Sequence, residues 1–257
     1  SNCDTAATGL SLPEAVTINP TGNFLYVANP GNNTISLCQR DTATGTLSRC
    51  GDAGGTGFLL PSGVTVNPQG DILYISNGGN LVGVSACDIN PTTRSISKCN
   101  HNTSPSFDNA FDITLNTSGT HAYVANFTDS SVAVCEVHNK RLLNCQAVFS
   151  STFSGPEGVT VDPLSRFLYV ANNTSNQVSV CGINNTSNLP KNCEITDGQF
   201  SGIGNVGLSQ SGTSGYVPDF IGNRLFHCHA NSITGALSAC LNLEVSGLNN
   251  PAGIVLK

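Results

Sequence analysis

The sequence predicts an all-β propeller of five four-stranded blades, each stapled by one disulfide, with a partial sixth blade formed from the termini. Three observations carry this. A tyrosine-centred motif recurs along the whole chain at spacings of 46 to 49 residues. The apolar runs are short, rich in Val, Ile and Tyr, and bounded by Asn, Gly, Pro and Ser, with no sustained 3.6-residue period. Ten of the eleven cysteines fall at matching places in the repeats.

The motif is LYVAN (25–29), LYISN (73–77), AYVAN (122–126), LYVAN (168–172) and GYVPD (215–219), centred on Tyr26, Tyr74, Tyr123, Tyr169 and Tyr216. A first run precedes each: AVTINPTG, GVTVNPQG, DITLNTSG, GVTVDPLS and VGLSQSG. Turn chemistry joins the two, as in Asn19-Pro20-Thr21-Gly22 and Asn67-Pro68-Gln69-Gly70, where Pro presets φ and Gly relieves the exit. A third run ends in Cys (TISLC, GVSAC, VAVC, VSVC, LFHC), and a fourth closes the unit (TLSRC, SISKC, LLNC, PKNC, ALSAC). Four antiparallel strands repeated at this period are the signature of radial blades. The units run approximately 12–58, 59–107, 108–153, 154–200 and 201–247 within one domain over 1–257, leaving terminal pieces 1–11 and 248–257.

The YVAN core preceded by GVTVNP-x-G resembles the YVTN repeat family of β-propellers, itself similar to NHL repeats and to the seven-bladed lactonases. The resemblance covers nearly the whole chain and implies a fold more than an activity, because propellers host many functions.

The matched cysteines are Cys38 with Cys50, Cys87 with Cys99, Cys135 with Cys145, Cys181 with Cys193, and Cys228 with Cys240. One of each pair ends strand three and the other ends strand four. Facing Cα atoms on antiparallel strands lie ~4.5–5.5 Å apart, within reach of a disulfide. No close C-x-x-C pair supports zinc or thioredoxin-like chemistry. Cys3 is left over, in a context like the end of strand four, while 251–256 reads as strand one of a further blade. A trimmed chain, termini sharing an incomplete sixth blade, or a second chain completing it by strand addition or a bond at Cys3 each account for this.

Paired cysteines place the chain in an oxidising compartment: extracellular, cell-surface or periplasmic. The absence of Met and of a charged-then-apolar leader suggests a mature chain. Charged residues are 10%, against about 25% in an average soluble protein. With a net charge of −6 and no basic run, nucleic acid is a poor partner, and no apolar stretch is long enough for a membrane span.

In a propeller the first strand lines the channel, and the aligned positions at its start are Glu14, Ser62, Phe111, Glu157, Gly204 and Ala252, with Asp112 one step on. Glu14, Asp112 and Glu157 are a candidate cation site, against ordinary solvated rim residues. The last position of the second-strand motif gives Asn29, Asn77, Asn126, Asn172 and Asp219, read as residues bonding turn backbone rather than a binding ring. His227 and His229 share one face of a strand and are weak metal candidates lacking a third ligand. Sequons include Asn184 and Asn185, the most accessible glycosylation acceptors, although eight sequons are barely more than chance supplies at this composition. No nucleophile elbow, P-loop or dinucleotide fingerprint is present, and no cofactor is called for.

The leading functional expectation is therefore a non-enzymatic extracytoplasmic binding, adhesion or surface-assembly scaffold, self-associating or binding protein through the unfinished blade. Glycan binding is weakened by the lack of Trp. The alternative is a lactonase-like or metal-dependent hydrolase with its site at the central channel, for which Phe, Gly and Ala at three aligned positions leave a thin acidic and basic set.

Overall fold

The computed structural model describes residues 8–79, 83–196 and 198–256. Five four-stranded antiparallel sheets follow one another in the chain. Blade one holds β1 (Ala15–Ile18), β2 (Phe24–Asn29), β3 (Thr34–Arg40) and β4 (Leu47–Asp52). Blade two holds β5 (Pro61–Val66), β6 (Ile72–Asn77), β7 (Gly83–Ile89) and β8 (Ile96–Asn102). Blade three holds β9 (Ala110–Leu115), β10 (His121–Asn126), β11 (Ser131–His138) and β12 (Arg141–Phe149). Blade four holds β13 (Pro156–Val161), β14 (Phe167–Asn172), β15 (Gln177–Ile183) and β16 (Pro190–Thr196). Blade five holds β17 (Gly207–Leu208), β18 (Ser214–Asp219), β19 (Arg224–Ala230) and β20 (Leu237–Asn242). Each sheet keeps sequence order from inner to outer strand.

The apolar runs explain where the core sits. The second and third strands are buried on both faces, so a blade cannot hide its apolar surface alone and must stack on its neighbours. The four core clusters accordingly lie between blades. One joins Tyr26 and Ile35 of blade one to Leu73, Ile75 and Ile96 of blade two, and the others bridge blades two and three, three and four, and four and five. The motif tyrosines clamp these interfaces. The Tyr26 hydroxyl donates to Arg94 O of the next blade at 2.7 Å, Tyr123 to Asn188 O at 2.9 Å, and Tyr169 to Gly235 O at 2.7 Å. Burial of the phenols raises their pKa, Tyr26 to about 12, so they remain donors.

All five disulfides form as paired in the sequence, one per blade. Two details depart from expectation. The strands run on past the cysteines, which sit mid-strand rather than at strand ends. The Cα separations are 4.0 to 4.1 Å, shorter than a facing pair gives. The cause is a β-bulge: the register skips each strand-three cysteine, and the residue before each strand-four cysteine has positive φ, as at Arg49 (49°) and Asn192 (49°).

The fifth interface is built differently. The segment 251–256 runs between the inner strands of blades five and one. A Cβ on Gly207 would lie 2.9 Å from Ile254, and one on Gly253 would lie 2.6 Å from Glu14 O. Ile254, Val255 and Leu256 line the central channel alongside residues of the five inner strands, enclosing about 190 Å³. The segment is extended but forms no strand ladder, so the partial sixth blade expected from the termini is reduced to this piece among the described residues. Cys3 and residues 1–7 lie outside them.

Candidate functional site

A cavity of about 440 Å³ opens at one end of the channel. All six aligned positions line it: Glu14, Ser62, Phe111, Glu157, Gly204 and Ala252. Local sequence explains their common aim. The lead-ins Pro13-Glu14, Pro61-Ser62, Pro156-Glu157 and Pro251-Ala252 share a proline before the lining residue. The residue two places before the lining position has positive φ at Leu12 (48°), Leu60 (46°), Asn109 (53°), Gly155 (58°) and Asn250 (47°). This turn swings the chain from the outer rim into the mouth. For a non-glycine residue it costs on the order of 1–2 kcal/mol.

The motif asparagines hold these turns in place. Their side-chain oxygens each accept from a backbone N–H eighteen residues earlier: Asn29 from Ser11 at 3.2 Å, Asn77 from Leu59 at 3.1 Å, Asn126 from Asp108 at 3.2 Å, and Asn172 from Ser154 at 2.9 Å. Their amide nitrogens donate to Ser36, Ser85, Ser131 and Ser179 at 2.8–3.0 Å. In blade five the acceptor is Asp219, which takes Ser201 N at 3.1 Å and pairs with Arg224 at 2.6 Å. These bonds reach farther than a local turn: the five ring members fix the loops that deliver Glu14, Ser62, Phe111, Glu157 and Gly204.

Three carboxyls share the mouth. Burial raises Glu14 to about 7. Burial, then the charge of Glu14, raises Glu157 to about 7, against a hydrogen bond from Asn173. Asp112, 6% exposed, lies in the floor between cavity and channel. Its Oδ2 accepts from Val159 N at 3.0 Å and from Asn205 Nδ2 at 3.3 Å. Burial outweighs these bonds and lifts it to about 7. Asp112 occupies the place that Gly63 and Gly158 hold in blades two and four. A Cβ on Gly63 would lie 2.6 Å from Asp112 Oδ1, so the strands approach closely enough to require glycine there.

The candidate cation site is not assembled: among the described residues no group of three or more His, Cys, Asp or Glu is close enough to hold a metal ion. That also leaves His227 and His229 without a third ligand. His227 instead lies tilted against Tyr216, ring centroids 5.0 Å apart. The repeat alignment placed Ser62 on the lining but gave it no chemical role. It is 4% exposed, lines the cavity, and its hydroxyl is buried without a hydrogen-bond partner among the described residues. No motif marks it, because its isolation depends on where other blades place their polar atoms.

Fold and mouth together define a propeller with an acidic, partly desolvated cavity at one end of its channel. A family model described as lactonase, seven-bladed β-propeller matches residues 1–60, 55–158 and 109–199, and the chain belongs to that family. The family is described as seven-bladed, whereas the described residues form five four-stranded blades. Similar solved structures include the periplasmic gluconolactonase of Pseudomonas aeruginosa, 17% identical, TM-score 0.70, covering 93% of this chain and 71% of that one. A candidate 6-phosphogluconolactonase from Bacteroides fragilis is also 17% identical, TM-score 0.67, over the same shares. A nidogen/laminin complex superposes at TM-score 0.73 with 10% identity over 95% of this chain and 84% of that one. At these identities the likeness is one of fold. No curated protein matches the chain.

The family match overturns the expectation of a non-enzymatic scaffold and favours the lactonase-like alternative. The scaffold reading rested on a channel lined by nothing reactive. It failed because Phe111, Gly204 and Ala252 looked like gaps in a catalytic set, whereas in three dimensions they are the walls around Glu14, Glu157 and Ser62.

Proposed function

We propose that the chain hydrolyses a lactone or related ester at the channel mouth, with Glu14 as general base and Glu157 as general acid. The observation that carries this is the pair of glutamates facing one cavity, both raised to about 7 and coupled by charge. Near neutrality such a pair shares one proton. The charge on Glu14 keeps Glu157 protonated, so one fold position accepts a proton while the other donates.

The chemistry balances with these groups alone. Glu14 takes a proton from water as the water oxygen bonds to the ester carbonyl carbon. The resulting oxyanion receives a hydrogen bond from the Ser62 hydroxyl, which has no partner among the described residues. Collapse breaks the bond to the ring oxygen, which takes the proton of Glu157. The product is a hydroxy acid, and the proton on Glu14 restores the shared state. The YVAN core is read as a YVTN-type repeat, and the five disulfides support an extracytoplasmic location.

The singly protonated pair is the active form, so kcat/KM for a lactone peaks near pH 7 and falls on both sides. Glu14→Gln lowers it by about 10²–10⁴ and, by removing a like charge, moves the titration of Glu157 to lower pH. Glu157→Gln abolishes the alkaline limb. A wild type that opens no lactone or ester, or variants that retain its full rate, would refute the assignment.

A further inference from the structure

We propose that the substrate of this site is uncharged and carries an apolar body, and is not a phosphorylated sugar lactone; this rests on the hydrolase reading above. Among the described residues, none lining the cavity is Lys, Arg or His. Its titratable groups are the three acids already described. A phosphate dianion is recognised by guanidinium, ammonium or convergent backbone N–H groups, and here it would meet Glu14 and Glu157 instead.

The surrounding surface repeats the pattern. Among the described residues, the loops that rim this face follow strand two (30–33, 78–79, 127–130, 173–176, 220–223) or join strand four to the next strand one (53–60, 103–109, 150–155, 198–206), with 8–14 leading into β1 and 243–250 leaving β20. Neither set contains a Lys or Arg in the sequence. They carry Asp108, Asp129 and Glu244. Arg224, where β19 begins, is committed to Asp219, and the bases Arg94, Lys140 and Arg166 in turns and Arg141 at the start of β12 lie at the other ends of the strands. The entrance therefore repels a dianion before contact.

What the rim offers instead is apolar. Leu12 is 76% exposed and Ile221 66% exposed, and both line the cavity with Phe111 and Phe220. Leu12 is disfavoured twice, by its exposure and by a positive φ that Gly or Asn would adopt more readily. A leucine in that position is explained by what its side chain covers when a ligand is seated. The polar side chains lining the cavity are Ser62, Asn205, Asn250 and the three acids, of which Asp112 and Asn205 also line the channel below, so the reacting ester is placed toward the floor and the apolar part at the rim.

Two substrates and two inert analogues test this: a six-membered lactone bearing a medium alkyl chain, 6-phosphogluconolactone, and the corresponding alkyl and phosphorylated lactams. The alkyl lactone is expected to exceed the phosphorylated one in kcat/KM by at least about a hundredfold. Leu12→Ser raises KM for the alkyl lactone about tenfold with kcat held, and Ile221→Lys narrows the preference. Equal rates, or preference for the phosphorylated lactone, overturn the inference and leave the hydrolase reading standing. If neither lactone is opened, the hydrolase reading falls and calorimetric binding of the lactams decides the inference. Tighter binding of the alkyl lactam, weakened by Leu12→Ser, upholds it, and any other order overturns it.

Discussion

At the residue scale, Asp112 shows how one side chain ties the ring together at the expense of pH tolerance. It joins β9 to Val159 of β13 and to Asn205 of the fifth blade. Its folded pKa of about 7 lies above the ordinary carboxylate range of about 4. The folded state therefore holds a proton that the unfolded chain releases. The stability this confers is full below about pH 4 and is lost as pH rises through about 7. Glu14 and Glu157 act in the same sense. Asp112→Asn is expected to flatten this dependence by on the order of a few kcal/mol between pH 4.5 and 7.5, measured as denaturant midpoints against wild type. The residue could be placed near the mouth from the repeat alignment, but not assigned its bridging role. That depends on Val159 and Asn205, which are 47 and 93 residues away.

At the element scale, most of the architecture was legible because each level of the repeat agrees with the others. Strand period, turn residues and cysteine placement all give the same four-stranded unit. The bulges were not legible: the residues forced to positive φ before the outer cysteines are Arg, Lys, Asn and Ala, with no glycine to announce them. The latching asparagines were half legible. Their bonds to nearby backbone follow from the residue type, as in Asn172 to Gln177 O at 3.1 Å. The bond to Ser154, across the preceding loop, does not follow from it. Asn172→Ala leaves the part-buried Ser154 N–H without its acceptor and removes the donor to the Ser179 hydroxyl, which keeps its own bond to Thr152 O. It should cost about 1–3 kcal/mol in chemical denaturation. Because Ser154 leads directly to Glu157, kcat/KM should also drop at least about tenfold.

At the scale of the whole molecule, closure of the ring and assembly of the site are the same event. Four blade interfaces are sealed by apolar clusters, and the fifth by residues 251–256, whose Gly253 packs on the backbone of Glu14. Gly253→Val brings a Cβ within 2.6 Å of Glu14 O, so the segment or the catalytic glutamate must shift. The expected result is a loss of activity larger than the loss of melting temperature, with a matched change at Gly51 as control, where an added Cβ meets open space. The scaffold expectation erred at this scale. A site whose walls come from five blades and a terminal segment leaves no contiguous motif in the chain.

The hairpin disulfides span 10 to 12 residues each, so every outer turn is a small covalent ring. A protease that cuts one of these tips, for example at Thr186 between Cys181 and Cys193, adds a molecule of water and releases no fragment. The nicked chain stays one molecule, with both strands still registered in their sheet. Damage at the most exposed turns is thereby uncoupled from loss of the protein, and shows only after reduction.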